Sequence, residues 1–324
     1  MPRNVTLTDE TKALIATEYA ELKVQGMSSK DAEDVLCVKL GLGARTIRNY
    51  RNYGSYSNSP ESLTSSDFEL PEPKILLVDV ETSYNIGFCW GRYEQNIIEY
   101  DALAPNGGEW YLLSWSVRWL NDTPVTKCLA DYDGYDPKTG NDKELVLELH
   151  RWLQDADIVV WQNGDKFDYR KINTRFLEHR IPPPRPYRTI DTLKIARKHF
   201  GFNSNKLDDI GRRLGVGRKL EHQGFPLWRL CVAGDMDAWE IMKRYNENDV
   251  ALLQDVYLEL LPWIFNHPPV STLKGLIDAC RNCGATDIKQ EGFILTATGR
   301  RPQYQCAYCD TWMTGKHQAI NSLR

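Results

Sequence analysis

The chain has 324 residues, 42% of them hydrophobic, with a formal net charge of −4 at pH 7 and a sequence pI of about 5.9. That much apolar material can bury one sizeable core and two satellites, whereas no apolar run reaches transmembrane length and no signal peptide is evident, so a cytoplasmic protein with no membrane contact is expected. Cys37, Cys89, Cys128 and Cys231 are scattered, as in a reducing compartment rather than a disulfide scaffold, and no repeat of 20–50 residues is found.

In chain order, helices are expected over Asp9–Val24, Ser29–Lys39 and Ala44–Tyr53, with Ser28 or Ser29 capping the second. Leu40–Arg51 resembles the turn and recognition helix of a helix-turn-helix domain, which places Arg45, Arg48, Asn49, Arg51 and Asn52 on the last helix. A plain three-helix module, or a protein-binding one, is the alternative, because acids on the first helices leave the segment near neutral. Gly54–Pro73, rich in Ser, Pro and Glu, reads as a flexible linker.

Ile75–Thr82 is an apolar run with two carboxylates at its exit, a buried strand in which Asp79 and Glu81, at i and i+2, share one face. Further β-like runs near 95–100, 111–118 and 125–130 precede a helix over 141–154, whose Asn141 and Glu144 have the spacing of a capping box. Asp157–Trp161 is a second buried strand; a Gly turn follows, then a helix to about His179 with Asp168 near its N-terminus. Asp191 stands at another strand-like exit, as the cap of the next helix or a reserve metal ligand. In the long amphipathic segment around 241–253, Ile241, Met242, Tyr245, Val250, Leu252 and Leu253 supply a core face, and Tyr245 and Asp249 lie one turn apart. Strands first and helices after predict an α/β fold, a mixed sheet flanked by helices, between a small all-α N-terminal module and a C-terminal satellite.

Asp79, Glu81, Asp168 and Asp249 are the hard oxygen ligands that a pair of Mg²⁺ or Mn²⁺ ions selects, in an order suited to phosphodiester hydrolysis. The Asp-Val-Glu-Thr strand, the Asn-x-x-x-Phe-Asp turn and the Tyr-x-x-x-Asp helix resemble the three motifs of the DEDD superfamily of 3′–5′ exonucleases, in its tyrosine-bearing branch. That branch includes proofreading domains of DNA polymerases; Lys74–Pro262 looks most like the stand-alone ribonuclease H-like exonucleases of phages and bacteria. The resemblance implies a ribonuclease H-like fold, with Asp79 bridging two metals, Glu81 and Asp249 completing the nucleophile-side metal, Asp168 holding the other and Tyr245 orienting the attacking water. A ribonuclease H-like endonuclease or transposase-type enzyme is the rival enzyme, and an inactive DNA-binding protein the rival from another class.

Residues 166–219 carry fifteen Lys or Arg against five Asp or Glu, an excess of +10 in an acidic chain. Such a track, with Lys166, Arg170, Lys206 and Arg212, suits a phosphate backbone led toward metals. Phe200, Phe202, His222, Phe225 and Trp228 interleave with it, as core or as platforms for unpaired bases. Cys280-x-x-Cys283 and Cys306-x-x-Cys309, separated by β-like stretches, have the spacing of a four-thiolate structural zinc site, and Gly299–Cys306 looks like the second hairpin of a zinc ribbon. The expected layout is a helix-turn-helix-like module over 1–53, a linker over 54–73, an exonuclease domain over 74–265 and a zinc ribbon over 273–317. The expected partners are nucleic acid, DNA rather than RNA, and proteins of replication or recombination.

Overall fold

The computed structural model describes residues 9–25, 27, 29–42, 47, 72–89, 103, 108–276, 278–316 and 318–319. The expected helix over 44–53 apart from Ile47, its Arg45 and Arg48, most of the linker, and the β-like run near 95–100 lie outside them. The chain divides into two compact units, Met1–Glu69 and Leu70–Arg324. In the first, α1 (Asp9–Val24) and α2 (Ser29–Leu40) enclose a small core of Ile15, Leu36 and Ile47, with Tyr19, Leu22 and Leu40 against it.

The second unit is built on a five-stranded mixed sheet in the order β3-β2-β1-β4-β5. Strand β1 (Ile75–Thr82) pairs antiparallel with β2 (Leu112–Trp119), which pairs antiparallel with β3 (Val125–Cys128). On its other edge β1 runs parallel to β4 (Ile158–Trp161), and β4 parallel to β5 (Arg188–Asp191). Parallel strands need crossovers: α3 (Lys143–Asp155) precedes β4, and α4 (Asp168–Glu178) joins β4 to β5. After β5 come α5 (Thr192–His199), α6 (Leu207–Leu214), α7 (Phe225–Val232) and the 25-residue α8 (Met236–Leu260).

The alternation of β1 sorts the core. Leu76, Val78 and Val80 pack with Leu145, Leu149, Leu153, Ile172 and Phe176 of α3 and α4. Ile75 and Leu77 point the other way, into a cluster with Ile195, Ile210, Val250, Leu253 and Val256 of α5, α6 and α8. Two local expectations differ from the structure. Ile241 is 41% exposed, on the outer side of α8. The capping box at α3 does not form: Asn141 Oδ1 accepts from the Lys143 amide at 3.3 Å, while the preceding cap, Asp142, is wholly buried and turns its carboxylate to the Leu112 amide, Arg175 and His179. An arginine partner inside the fold outweighs one exposed helix-end amide.

The C-terminal sheet runs β6 (Ile288–Thr296), β7 (Gly299–Cys306) and β8 (Trp312–Thr314), with β9 (Gln318–Ala319) on β7. Gly299–Cys306 is shared by two hairpins: it is the return strand from β6 and the opening strand of a second hairpin with β8 that carries the second knuckle. The first knuckle is fastened to the end of α8. Asn282 Nδ2 donates to the carbonyls of Leu261 and Ile264, and Arg281 donates to that of His267. His267 is fully buried; its Nδ1 donates to the Pro268 carbonyl at 2.7 Å, leaving Nε2 to accept from the Tyr257 hydroxyl at 2.8 Å. Tyr257→Phe should leave that nitrogen unpaired, costing about 1–3 kcal/mol and lowering the main thermal transition by roughly 2–10 °C. Calorimetry checks this, and a loss well above that of a Tyr257→Phe/His267→Leu double variant is expected.

Candidate metal centre

Asp79 and Glu81 leave β1 on the face begun by Ile75 and Leu77, which the C-terminal half of α8 covers, and Asp249 of that helix arrives beside them. One carboxylate oxygen from each of the three lies within 4.8 Å of the other two. Opposite Asp79 and Glu81 on β2 stand Ser116 and Ser114. Ser114 donates to Asn246 Oδ1 at 3.0 Å, and Asn246 Nδ2 donates to Asp79 Oδ2 at 2.6 Å, fixing that carboxylate.

Asp168 is the first residue of α4, buried, with Oδ1 accepting from the Val80 amide at 3.1 Å. It stands outside the three-oxygen cluster, but its charge reaches both Asp79 and Glu81. Asp191 is not part of the cluster: it caps α5, accepting from the Leu193 amide at 3.0 Å.

A cation enters from the loop between α6 and α7. The amides of Lys219 and Leu220 donate to Asp208 and Asn248, fastening that loop to α6 and α8. Lys219 Nζ then donates to Asp249 Oδ2 at 2.5 Å and to the Tyr245 hydroxyl at 3.1 Å. Sequence reading counted Lys219 only as one of fifteen basic residues and overlooked Asn246. Neither obeys a periodicity that points at the strand exit, although Asn246 adjoins Tyr245 in the same motif.

The electrostatics follow from crowding acids out of water. Burial, then the charge of Asp249, pushes Glu81 up to about 8. Burial likewise pushes Asp168 up to about 7 despite the amide of Val80, and raises Asp79 and Asp249. Burial works against the charge of Lys219, but Asp249 and Asp79 outweigh it and hold the lysine above its usual range. The arrangement fits divalent ions: all donors are hard carboxylates, and Asp249 Oδ1 is buried with no hydrogen-bond partner among the described residues.

An aromatic wall borders the acids. His222 and Trp228 pack on Tyr245 with ring centroids 4.5 and 6.0 Å away, Trp228 also hydrogen-bonding Glu81. Phe225, 58% exposed, meets Tyr84 at 5.0 Å. Phe200 and Phe202 instead pack against the core. Lys166 and Arg170 are exposed on either side of Asp168, and Lys206 is exposed before α6. Arg212 is exposed but paired with Asp208 at 2.7 Å. The +10 excess is offset by acids outside its window, since Arg175 pairs with Asp142, Arg185 with Asp157, Lys194 with Asp165 and Lys219 with Asp249.

The four C-terminal cysteines also converge, with all four Sγ atoms within 4.8 Å; Cys280 and Cys309 are 3.5 Å apart, Cys283 and Cys306 3.7 Å. Tetrahedral coordination at a Zn–S distance near 2.3 Å implies S···S separations of about 3.8 Å, so the thiols fit such an ion.

A sheet of this order, with acids at the exit of its central strand and on the helix across it, defines a ribonuclease H-like nuclease fold. The chain belongs to the RNase H superfamily, whose family model matches residues 98–261, just over half of it. That span holds Asp168, Tyr245 and Asp249; Asp79 and Glu81 precede it. Among solved structures, the chain is similar to the family B DNA polymerase from the hyperthermophilic archaeon Pyrobaculum calidifontis, at 13% identity and a TM-score of 0.41, over 70% of this chain and 32% of the polymerase. No curated protein matches the chain.

The raised acids predict an unusual pH response. Their folded values lie above the roughly 4 of an unfolded chain, so the stability they contribute is full at acid pH and is lost as pH rises through about 7 and 8. The thermal midpoint of chelator-treated protein should fall between pH 5 and pH 8, Mn²⁺ should restore it at pH 8, and Glu81→Gln should flatten the fall. Calorimetry across that range checks all three.

Proposed function

We propose that this protein is a divalent-metal-dependent 3′–5′ exonuclease acting on DNA, at single strands or 3′ ends. The carrying observation is the convergence of Asp79, Glu81 and Asp249, with Asp168 alongside and Tyr245 one turn from Asp249. Asp79, Glu81 and Asp249 would hold one Mg²⁺ or Mn²⁺, and Asp79 with Asp168 a second. When bound, such a pair supplies an acidified water at neutral pH and relieves charge on the leaving oxygen.

The chain's own groups do the rest. Lys219 donates to the Tyr245 oxygen, whose phenol also hydrogen-bonds Asp249, and burial keeps that phenol protonated, so it would orient an attacking water beside Asp249. Asn246 and Ser114 hold Asp79 in place. Lys166 and Arg170, beside Asp168, suit phosphates of an incoming strand, and Tyr84 with Phe225 suits an unpaired base. The four cysteines would close one structural zinc, and the N-terminal helices would engage DNA, in a cytoplasmic protein of phage or bacterial type working beside replication or recombination proteins.

Asp79→Ala should bind an oligonucleotide and fail to cut it, and Tyr245→Phe should cut more slowly. Wild-type protein should shorten a 5′-labelled linear strand in single-nucleotide steps, releasing nucleoside 5′-monophosphates, and spare a closed single-stranded circle of the same sequence. Gel analysis with Mg²⁺ or Mn²⁺ checks this; nicking of the circle at a comparable rate would identify an endonuclease, and cleavage of RNA alone would reject DNA as the substrate.

Metal analysis should find one zinc per chain, lost when Cys280 and Cys306 are both changed to serine. Zinc retained by that double variant would place its ligands elsewhere.

A further inference from the structure

Asp168 stands beside the acid cluster at the head of α4, directly after the turn that leads out of β4. That turn has two demands. Asn163 takes a left-handed backbone, φ 64°, a conformation that a non-glycine residue keeps where its surroundings enforce it. Gly164 lies flat on the Trp161 indole, where a Cβ would come within 2.0 Å of the ring. From the turn, the Asn163 carbonyl accepts from the amides of Lys166 and Phe167, and the Gly164 carbonyl from that of Tyr169, so the first turn of α4 hangs from these two residues.

What enforces the shape comes from the neighbouring strand. Asp191, at the end of β5, is buried, and its Oδ1 accepts both from the Leu193 amide at 3.0 Å, the helix cap, and from the Asn163 amide at 2.9 Å, 28 residues away. Trp161 and Asp165 are tied to the same junction: Thr192 Oγ1 donates to the Trp161 carbonyl at 2.9 Å, Trp161 Nε1 to Asp165 Oδ1 at 2.8 Å, and Lys194 Nζ to Asp165 Oδ2 at 2.5 Å. Of these bonds from β5 and α5, the Asp191 bond is the one made to the left-handed residue itself.

We propose that Asp191 is a positioning residue for Asp168: through the Asn163 amide it locks the β4–α4 turn and so presets the carboxylate that would hold the second divalent ion. The inference rests on the metal-centre reading above. It assigns Asp191 no ligand role, and it gives the capping oxygen a second purpose.

The two bonds of Asp191 can be separated. In Asp191→Ser the hydroxyl still caps α5 but is too short to reach Asn163 as well, whereas Asp191→Asn keeps an oxygen able to accept from both amides. Mn²⁺ binding to the full chain, followed by calorimetric titration and by electron paramagnetic resonance of the free ion, is compared for wild type, Asp191→Ser, Asp191→Asn and Asp168→Ala. In Asp191→Ser the ion that Asp168→Ala abolishes should weaken by about 10–100-fold, the remaining ion should change by less than about threefold, and Asp191→Asn should restore wild-type binding. Wild-type affinity for both ions in Asp191→Ser would overturn the inference, as would equal loss of both ions. If Asp191→Ser does not fold, Asp191→Asn decides: selective loss of the Asp168-dependent ion in that folded variant would overturn the acceptor role. A wild-type chain that binds no Mn²⁺, or binds it unchanged in Asp168→Ala, would overturn the metal-centre reading instead, so the two failures are distinct.

Discussion

Carboxylates crowded out of water repel one another and lose their hydration, so something stronger must hold them together. Here it is the packing of β1 against α8. Ile75 and Leu77 begin the face of β1 that Val250, Leu253 and Val256 bury, and the same parity carries Asp79 and Glu81 to the strand's exit beneath Asp249. Burying these apolar side chains contributes about 1.5–3 kcal/mol each, enough in sum to tolerate an acid cluster at the seam. A one-residue slip of β1 would turn Asp79 and Glu81 away from α8.

The charge that remains is met by one lysine. Lys219 reaches Asp249 and Tyr245 from a loop pinned at Asp208 and Asn248. A buried pair of this kind adds little net stability over an apolar substitute, but removing one partner leaves the other unpaired. Its value lies in holding Asp249 and the phenol of Tyr245 in one geometry.

Much of this was legible before any coordinates. Strand parity put Asp79 and Glu81 on one face and helical spacing put Tyr245 beside Asp249, because each depends on local periodicity alone; the four thiols were legible from a known metal-ligand spacing, though they meet only through the β6–β7 hairpin. Lys219 was not legible, since its position is set by a loop whose anchors are 11 and 28 residues away in sequence. Nor was the true charge of the basic segment, because Asp142, Asp157, Asp165 and Asp249 neutralise part of it across the fold. Asp142 shows the same limit in reverse. The capping box expected at Asn141 and Glu144 passed over it, yet Arg175 and His179 from α4 claim it, a long-range pairing that no local pattern encodes.

The central claim is that the seam between β1 and α8 builds a divalent-metal centre. Anomalous diffraction from crystals grown with Mn²⁺ tests it most directly. The account predicts two Mn²⁺ peaks, one bounded by Asp79, Glu81 and Asp249 and one shared by Asp79 and Asp168. At saturating Mn²⁺, an absence of anomalous density at these carboxylates, with Lys219 still bonded to Asp249, would contradict it.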